Sequence, residues 1–255
     1  MTCPMERAYH LNNAAIYHMQ VGAYHVAQQK LTEALRIAKQ YAFSLKRDVT
    51  TITDWDTAAA AAYFSSNQGT IHSFVRIPAL WDSNVYLCDQ AIAIHPPPAD
   101  LSTVTTDESI LKGKRQDSSE HVPFVSIDGA IIIFNTALAF HAYGLHESSP
   151  QPHPWLANAQ KLYQMARVMM LEQSDGGAFD ETSLSIQVAA TNNLVHVHAS
   201  RGEHLEASQR LGELHTLLSE AASHHPNTTC KNGSILASIF QNVILISKAS
   251  AAAAA

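Results

Sequence analysis

Along Leu11–Leu35, LNNAAIYHMQVGAYHVAQQKLTEAL, apolar residues recur three and four positions apart on both sides of Gly22. That period marks amphipathic helix, and a glycine able to take positive φ between two such runs predicts a helix–turn–helix. The arrangement returns at Thr191–His215, TNNLVHVHASRGEHLEASQRLGELH, in register and without a gap. Asn12, Asn13, His18, Gly22, Ala27 and Leu31 correspond there to Asn192, Asn193, His198, Gly202, Ala207 and Leu211. A weaker copy, IFNTALAFHAYG, matches Asn13 and Gly22 with Asn135 and Gly144. After a loop at 145–154 it resumes as WLANAQKLYQMARVM, where Ala159, Tyr163 and Ala166 stand in for Ala27, Leu31 and Ala34.

The chain therefore divides into repeat 1 (8–42), an insertion (43–128), repeat 2 (129–172), repeat 3 (182–222) and a helix at 233–250 that caps the last apolar face. Small residues such as Ala15, Ala27, Ala137 and Ala207 allow close antiparallel packing, so each repeat predicts an αα-hairpin and the chain a single all-α domain of stacked hairpins over 1–255. Within the insertion, DWDTAAAAAYF has the composition of a short helix. TIHSFVRI and NVYLCDQAIAI alternate polar or small with β-branched and aromatic residues, which predicts a β-hairpin within 70–95. Pro96, Pro97 and Pro98 end that order, and the Ser-, Thr-, Asp- and Lys-rich stretch 99–121 is expected to be a mobile loop.

The repeat unit resembles the tetratricopeptide repeat. Gly22-Ala-Tyr24, then Ala27, Leu31, Ala34 and Leu35, follow that family's turn and second-helix pattern. The match is divergent: Leu11, Ile133 and Thr191 stand where the family has Trp, His204 replaces the turn Tyr, and the closing Pro is missing. The NN-x-x-x-x-H units with long insertions are also similar to repeat proteins of diatoms. The resemblance covers roughly half the chain and implies a right-handed solenoid with a concave groove. Its spacing departs from the family's usual period of about 34 residues because of the insertion.

Composition narrows the function. The net charge of −6 and only 16 Lys and Arg argue against a phosphate-binding surface, and the Lys112–Arg115 cluster is flanked by acids. Charged residues make up 15%, below the roughly 25% of average domains, which hints at surface covered by something else. Three scattered cysteines, no secretion leader and no membrane-spanning run point to a reducing, cytoplasmic setting. No nucleophile elbow, phosphate loop or HExxH occurs, so no catalytic residue, metal or cofactor is assigned.

The histidines of NNLVHVHASRGEH do not make a ligand set by spacing. His196 and His198 point to opposite sides of a helix; His198 is expected in the packing between the paired helices, and His204 at the turn. His196 falls on the face that the resemblance assigns to the groove.

The repeated Asn13, Asn135 and Asn193 are more telling, because Asn inside a helix costs several tenths of a kcal/mol relative to Ala. Either the carboxamide reads N–H and C=O of an extended peptide in the groove, or it bonds a neighbouring helix. The resemblance implies a groove wall of Tyr9, Asn12, Asn13, Ile16, Gln20, Phe134, Asn135, Leu138, His141, Asn192, Asn193 and His196. The positions that clamp a terminal carboxylate in some family members hold Asn12, Ile16 and Ala189 here. A partner helix or uncharged peptide therefore suits the groove better than an acidic tail.

Three functions follow in order: a noncatalytic scaffold binding another protein in its groove; a structural subunit of a larger complex; and, least favoured, an enzyme using His72, Asp82, Asp89 or His95 of the insertion.

Overall fold

The computed structural model describes residues 4–45, 71–77, 88–95, 127–146, 153–174 and 181–224, together with Ile239 and Val243. Six helices lie among them: α1 (Pro4–Gln20), α2 (Tyr24–Leu45), α3 (Ile127–His146), α4 (His153–Ser174), α5 (Glu181–Ser200) and α6 (His204–His224). Strands β1 (Ile71–Arg76) and β2 (Gln90–His95) form one small antiparallel sheet, with Ile71 opposite His95 and Arg76 opposite Gln90. The short helix read in DWDTAAAAAYF and the loop 99–121 fall outside the described residues. Of the capping helix, only Ile239 and Val243 are described, both helical and buried.

Consecutive helices pack in pairs, α1 on α2, α3 on α4 and α5 on α6. The pairs meet through α2 against α3 and α4 against α5, while the first helices α1, α3 and α5 also touch in turn. Ala15, Ala27, Ala34, Ala137, Ala159 and Ala166 are almost fully buried at these contacts, so small residues set the close approach of the helices. Tyr163 and Phe134 fill the second pair, their rings tilted at 5.7 Å. Trp155 at the start of α4 stacks on Phe140 and meets Tyr143 edge-on, and a Cβ on Gly144 would approach Trp155 and Leu156 to 3.2 Å. Gly144 therefore serves close packing, whereas Gly22 and Gly202 serve the turn.

Those two turns share one hydrogen-bond pattern. Gly22 N–H bonds Met19 O and Ala23 N–H bonds His18 O; Gly202 N–H bonds Ala199 O and Glu203 N–H bonds His198 O. Both glycines have φ of 75°. This is the Schellman closure, in which a left-handed residue satisfies carbonyls the helix end leaves open. His18 and His198 are thus equivalent through their backbone, as the acceptors of the bond that spans more of the chain. Side chains differ: His198 is buried and donates from Nδ1 to Glu203 Oε2 at 2.6 Å, whereas His18 is half-buried. His204 opens α6 and is exposed.

By length and composition α3 alone, among the described helices, is apolar enough to cross a membrane, but 83% of that stretch is buried inside the protein. It is the central helix, covered by α2, α4, α5 and β2.

Nothing lies within 4 Å of a Cβ built on Gly22, so its replacement tests backbone strain without packing. Gly22→Ala should lower the unfolding free energy by about 1 kcal/mol and Gly22→Asn by less, because Asn tolerates the left-handed region. Urea titration followed by helical circular dichroism checks the order of the two.

Candidate functional site: a carboxamide ladder on the first helices

Asn13, Asn135 and Asn193 occupy the same place in the first helix of each pair, so stacking the pairs sets their side chains in a row. That row faces β2. Asn13 accepts from Ile94 N–H at 3.0 Å and donates to Ile94 O at 2.7 Å. Asn135 does the same with Ile92, at 2.9 and 2.7 Å, and Asn193 with Cys88, at 2.8 and 3.2 Å. A carboxamide offers one acceptor and one donor side by side, which is what a residue of a neighbouring strand would offer. Each asparagine therefore replaces one strand residue.

The parity of β2 makes this work. Ile77 N–H donates to Asp89 O, so the odd-numbered residues of β2 turn their peptide groups toward β1. The even-numbered residues turn theirs toward the helices, where Ile92 and Ile94, and Cys88 just before the strand, meet the ladder. One edge of the strand is satisfied by β1 and the other by side chains.

The neighbouring asparagines brace the row. Asn12 is fully buried; its Nδ2 donates to Ile92 O at 3.1 Å and Asn13 Oδ1 at 3.2 Å, and its Oδ1 accepts from Asn135 at 2.8 Å. Asn192 repeats the local bond, donating to Asn193 Oδ1 at 3.2 Å. The asparagines bond an extended chain, and Asn135 also bonds a neighbouring helix through Asn12. The extended chain is the protein's own.

A second line of contacts leaves Asn193. Its Nδ2 also donates to Tyr163 Oη at 3.1 Å. The tyrosine Oη lies 3.4 Å from His141 Nδ1, and His141 Nε2 lies 2.9 Å from His196 Nδ1. Direction follows by elimination. Cys88 N–H needs Asn193 Oδ1 as acceptor, so the amide nitrogen faces Tyr163, which must give its own proton to His141 Nδ1. A neutral His141 then carries its proton on Nε2 and donates to His196 Nδ1.

Burial favours the uncharged forms throughout. It pushes the Tyr163 hydroxyl well above the usual range and the Cys88 thiol up to about 12. Burial lowers His141 well below the ordinary histidine value, with the adjoining His196 adding to it, and lowers His196 to about 4. A thiol so raised is not a ready nucleophile at neutral pH.

The other predicted groove residues take varied places. Tyr9 is buried and donates to Asp128 Oδ2 at 2.8 Å; Ile16, Phe134 and Leu138 are buried; exposed Gln20 donates to Arg76 O of β1 at 3.2 Å. What the groove reading lacked was the occupant: the segment 88–95 sits on the row of asparagines, so the row is not an open surface. Among the insertion residues weighed for catalysis, His72 pairs with buried Asp128 at 2.7 Å, Asp89 with Arg76 at 3.2 Å, and His95 with Ser73 at 2.9 Å. They point to separate partners, and Asp82 lies outside the described residues. Among the described residues no three His, Cys, Asp or Glu side chains stand together as a metal site.

Sequence reasoning passed over Cys88, Tyr163 and Asp128 as site residues. Tyr163 had a signal, being the one polar ring where the other repeats place Leu31 and Leu211. Asp128 had none beyond its place at the start of a helix. No family model, curated protein or solved structure matches the chain.

Asn135→Ala would leave the buried Ile92 N–H and Asn12 Oδ1 without partners, so a loss of about 3 kcal/mol in unfolding free energy is expected. Asn13→Ala, at a half-buried position, should cost about 1 kcal/mol. Equal losses in denaturant titrations would refute the ranking.

The histidine pair also predicts pH dependence. His196 binds a proton less readily folded than unfolded, so the unfolded state gains protons as pH falls from about 6.5 toward about 4, and stability drops across that window. Replacing both residues, His141→Phe with His196→Leu, should flatten this part of the stability profile relative to wild type.

Proposed function

We propose that the protein is a noncatalytic interaction scaffold, a divergent tetratricopeptide-like solenoid whose first helices recognise an extended segment of another protein. One observation carries this reading: equivalent carboxamides on three repeats each pair with both backbone groups of a single residue of the segment 88–95. Such pairing reads chain conformation more than side-chain identity, which is how a scaffold accepts an extended partner. The neutral surroundings, with Tyr163, His141 and His196 held uncharged, favour an uncharged segment.

Location of the partner is the test. A photo-cross-linking amino acid placed at Gln20 or Phe74, beside the strand, should capture a protein partner in cells. The same probe at His215, exposed on α6, should not. Adducts confined to His215 would sink the reading.

A further inference from the structure

We infer that β2 is an exchangeable occupant of the carboxamide ladder, and that the ladder takes in its place an extended segment of another protein in which small and branched aliphatic residues alternate. This rests on the scaffold reading and adds the chemistry of the partner and the competitor it meets.

The ladder bonds N–H and C=O groups only. Asn13, Asn135 and Asn193 touch the backbone at Ile94, Ile92 and Cys88, groups that any extended segment without proline at those places presents. The helical frame is also linked without the hairpin. Asn12 bonds Asn135 between α1 and α3, Tyr9 bonds Asp128 between the same helices, and His141 bonds His196 between α3 and α5. Release of the hairpin leaves these three direct bonds between pairs in place, while removing the bridge that the segment 88–95 makes across α1, α3 and α5. It breaks the ladder bonds and the latches on β1: His72 to Asp128, and Gln20 to Arg76 O.

Side chains set the selection. Ala91 and Ala93 alternate with Ile92 and Ile94, and all four are buried, with 0% exposure for Ile92 and Ile94 and no more than 6% for the alanines. Successive residues of a strand face opposite ways, so one side of the seat admits small groups and the other branched aliphatic ones. A charged residue would lose its hydration there against neutral Asn, Tyr and His.

The occupant is a different protein, not a second copy. The hairpin belongs to the chain between α2 and α3, and such tethering acts like a local concentration of about millimolar. A second copy brings an identical strand that is tethered in its own groove, so exchange gains no contact and costs association entropy. A segment of another protein pays the same association entropy but gives up no groove of its own, so a better fit can offset that cost.

Two measurements decide it. In hydrogen exchange on the wild-type chain, amides of β1 and β2 should exchange at least about tenfold faster than those in the middle of α3, because the hairpin opens alone. Exchange of β2 only at the α3 rate would overturn the proposal. In anisotropy, a labelled peptide CDQAIAIH, copying residues 88–95, should bind an Ile92→Pro chain at least about tenfold more tightly than wild type, because proline removes the resident N–H partner of Asn135. A CDQAPAIH peptide should not bind. Failure of CDQAIAIH to bind an Ile92→Pro chain of native helical content, or self-association of that chain through its grooves, would overturn the proposal. Should Ile92→Pro unfold, the wild-type exchange rates decide alone. A cross-linked partner at Gln20 or Phe74 together with slow exchange of β2 would leave the scaffold reading standing and remove this one.

Discussion

A peptide group buried without partners costs more than most single side-chain contacts return, and β2 brings several such groups against helices whose own backbones are already paired. Helices have no free edge to offer a strand. The three asparagines supply one, each giving a donor and an acceptor at the separation a strand residue would give. Everything else near the centre follows from this. α3 can be almost wholly apolar because its one interior carboxamide meets Ile92. Asn12 is needed to satisfy Asn135, and Tyr163 takes up the second hydrogen of Asn193 and passes the demand to the histidines.

The chain of bonds from Cys88 through Asn193 and Tyr163 to His141 and His196 shows how one buried polar contact recruits others. Low dielectric makes an incomplete network expensive, so each member is fixed in tautomer and direction by the one before it. Histidine suits the end of such a chain, because as a neutral ring it both accepts and donates. The same neutrality follows from burial and sets its reluctance to take a proton.

The helical part of the fold was legible because its period was strong and its turns carried glycine at matching places. Gly22 and Gly202 proved equivalent down to their carbonyl partners, His18 and His198. The alternation in TIHSFVRI and NVYLCDQAIAI pointed to the strands because pleating leaves a period of two. The asparagines stood out because helices seldom hold them inside, so a polar role for them was legible. That β2 is the chain they read was not. Nothing local in CDQAIAIH says which surface it meets, since its partners lie as far off as Asn193. Buried Asp128 was equally silent, because its meaning comes from Tyr9 and His72, both distant in sequence. Long-range pairing of single polar groups leaves no periodic trace.

The ladder steps two residues from Ile94 to Ile92 and then four from Ile92 to Cys88. Helices that touch sit about 8–10 Å apart, and a strand covers about 10 Å in three residues. A three-residue step would present the wrong edge, so the strand keeps pace with the helices only by alternating a short stride with a long one, as a vernier does. Gln90, in the long stride, is passed over by the ladder. A change of length between Cys88 and Ile92 is therefore compatible with this seat only in multiples of two; a single inserted or lost residue would turn every later peptide group from the helices to β1.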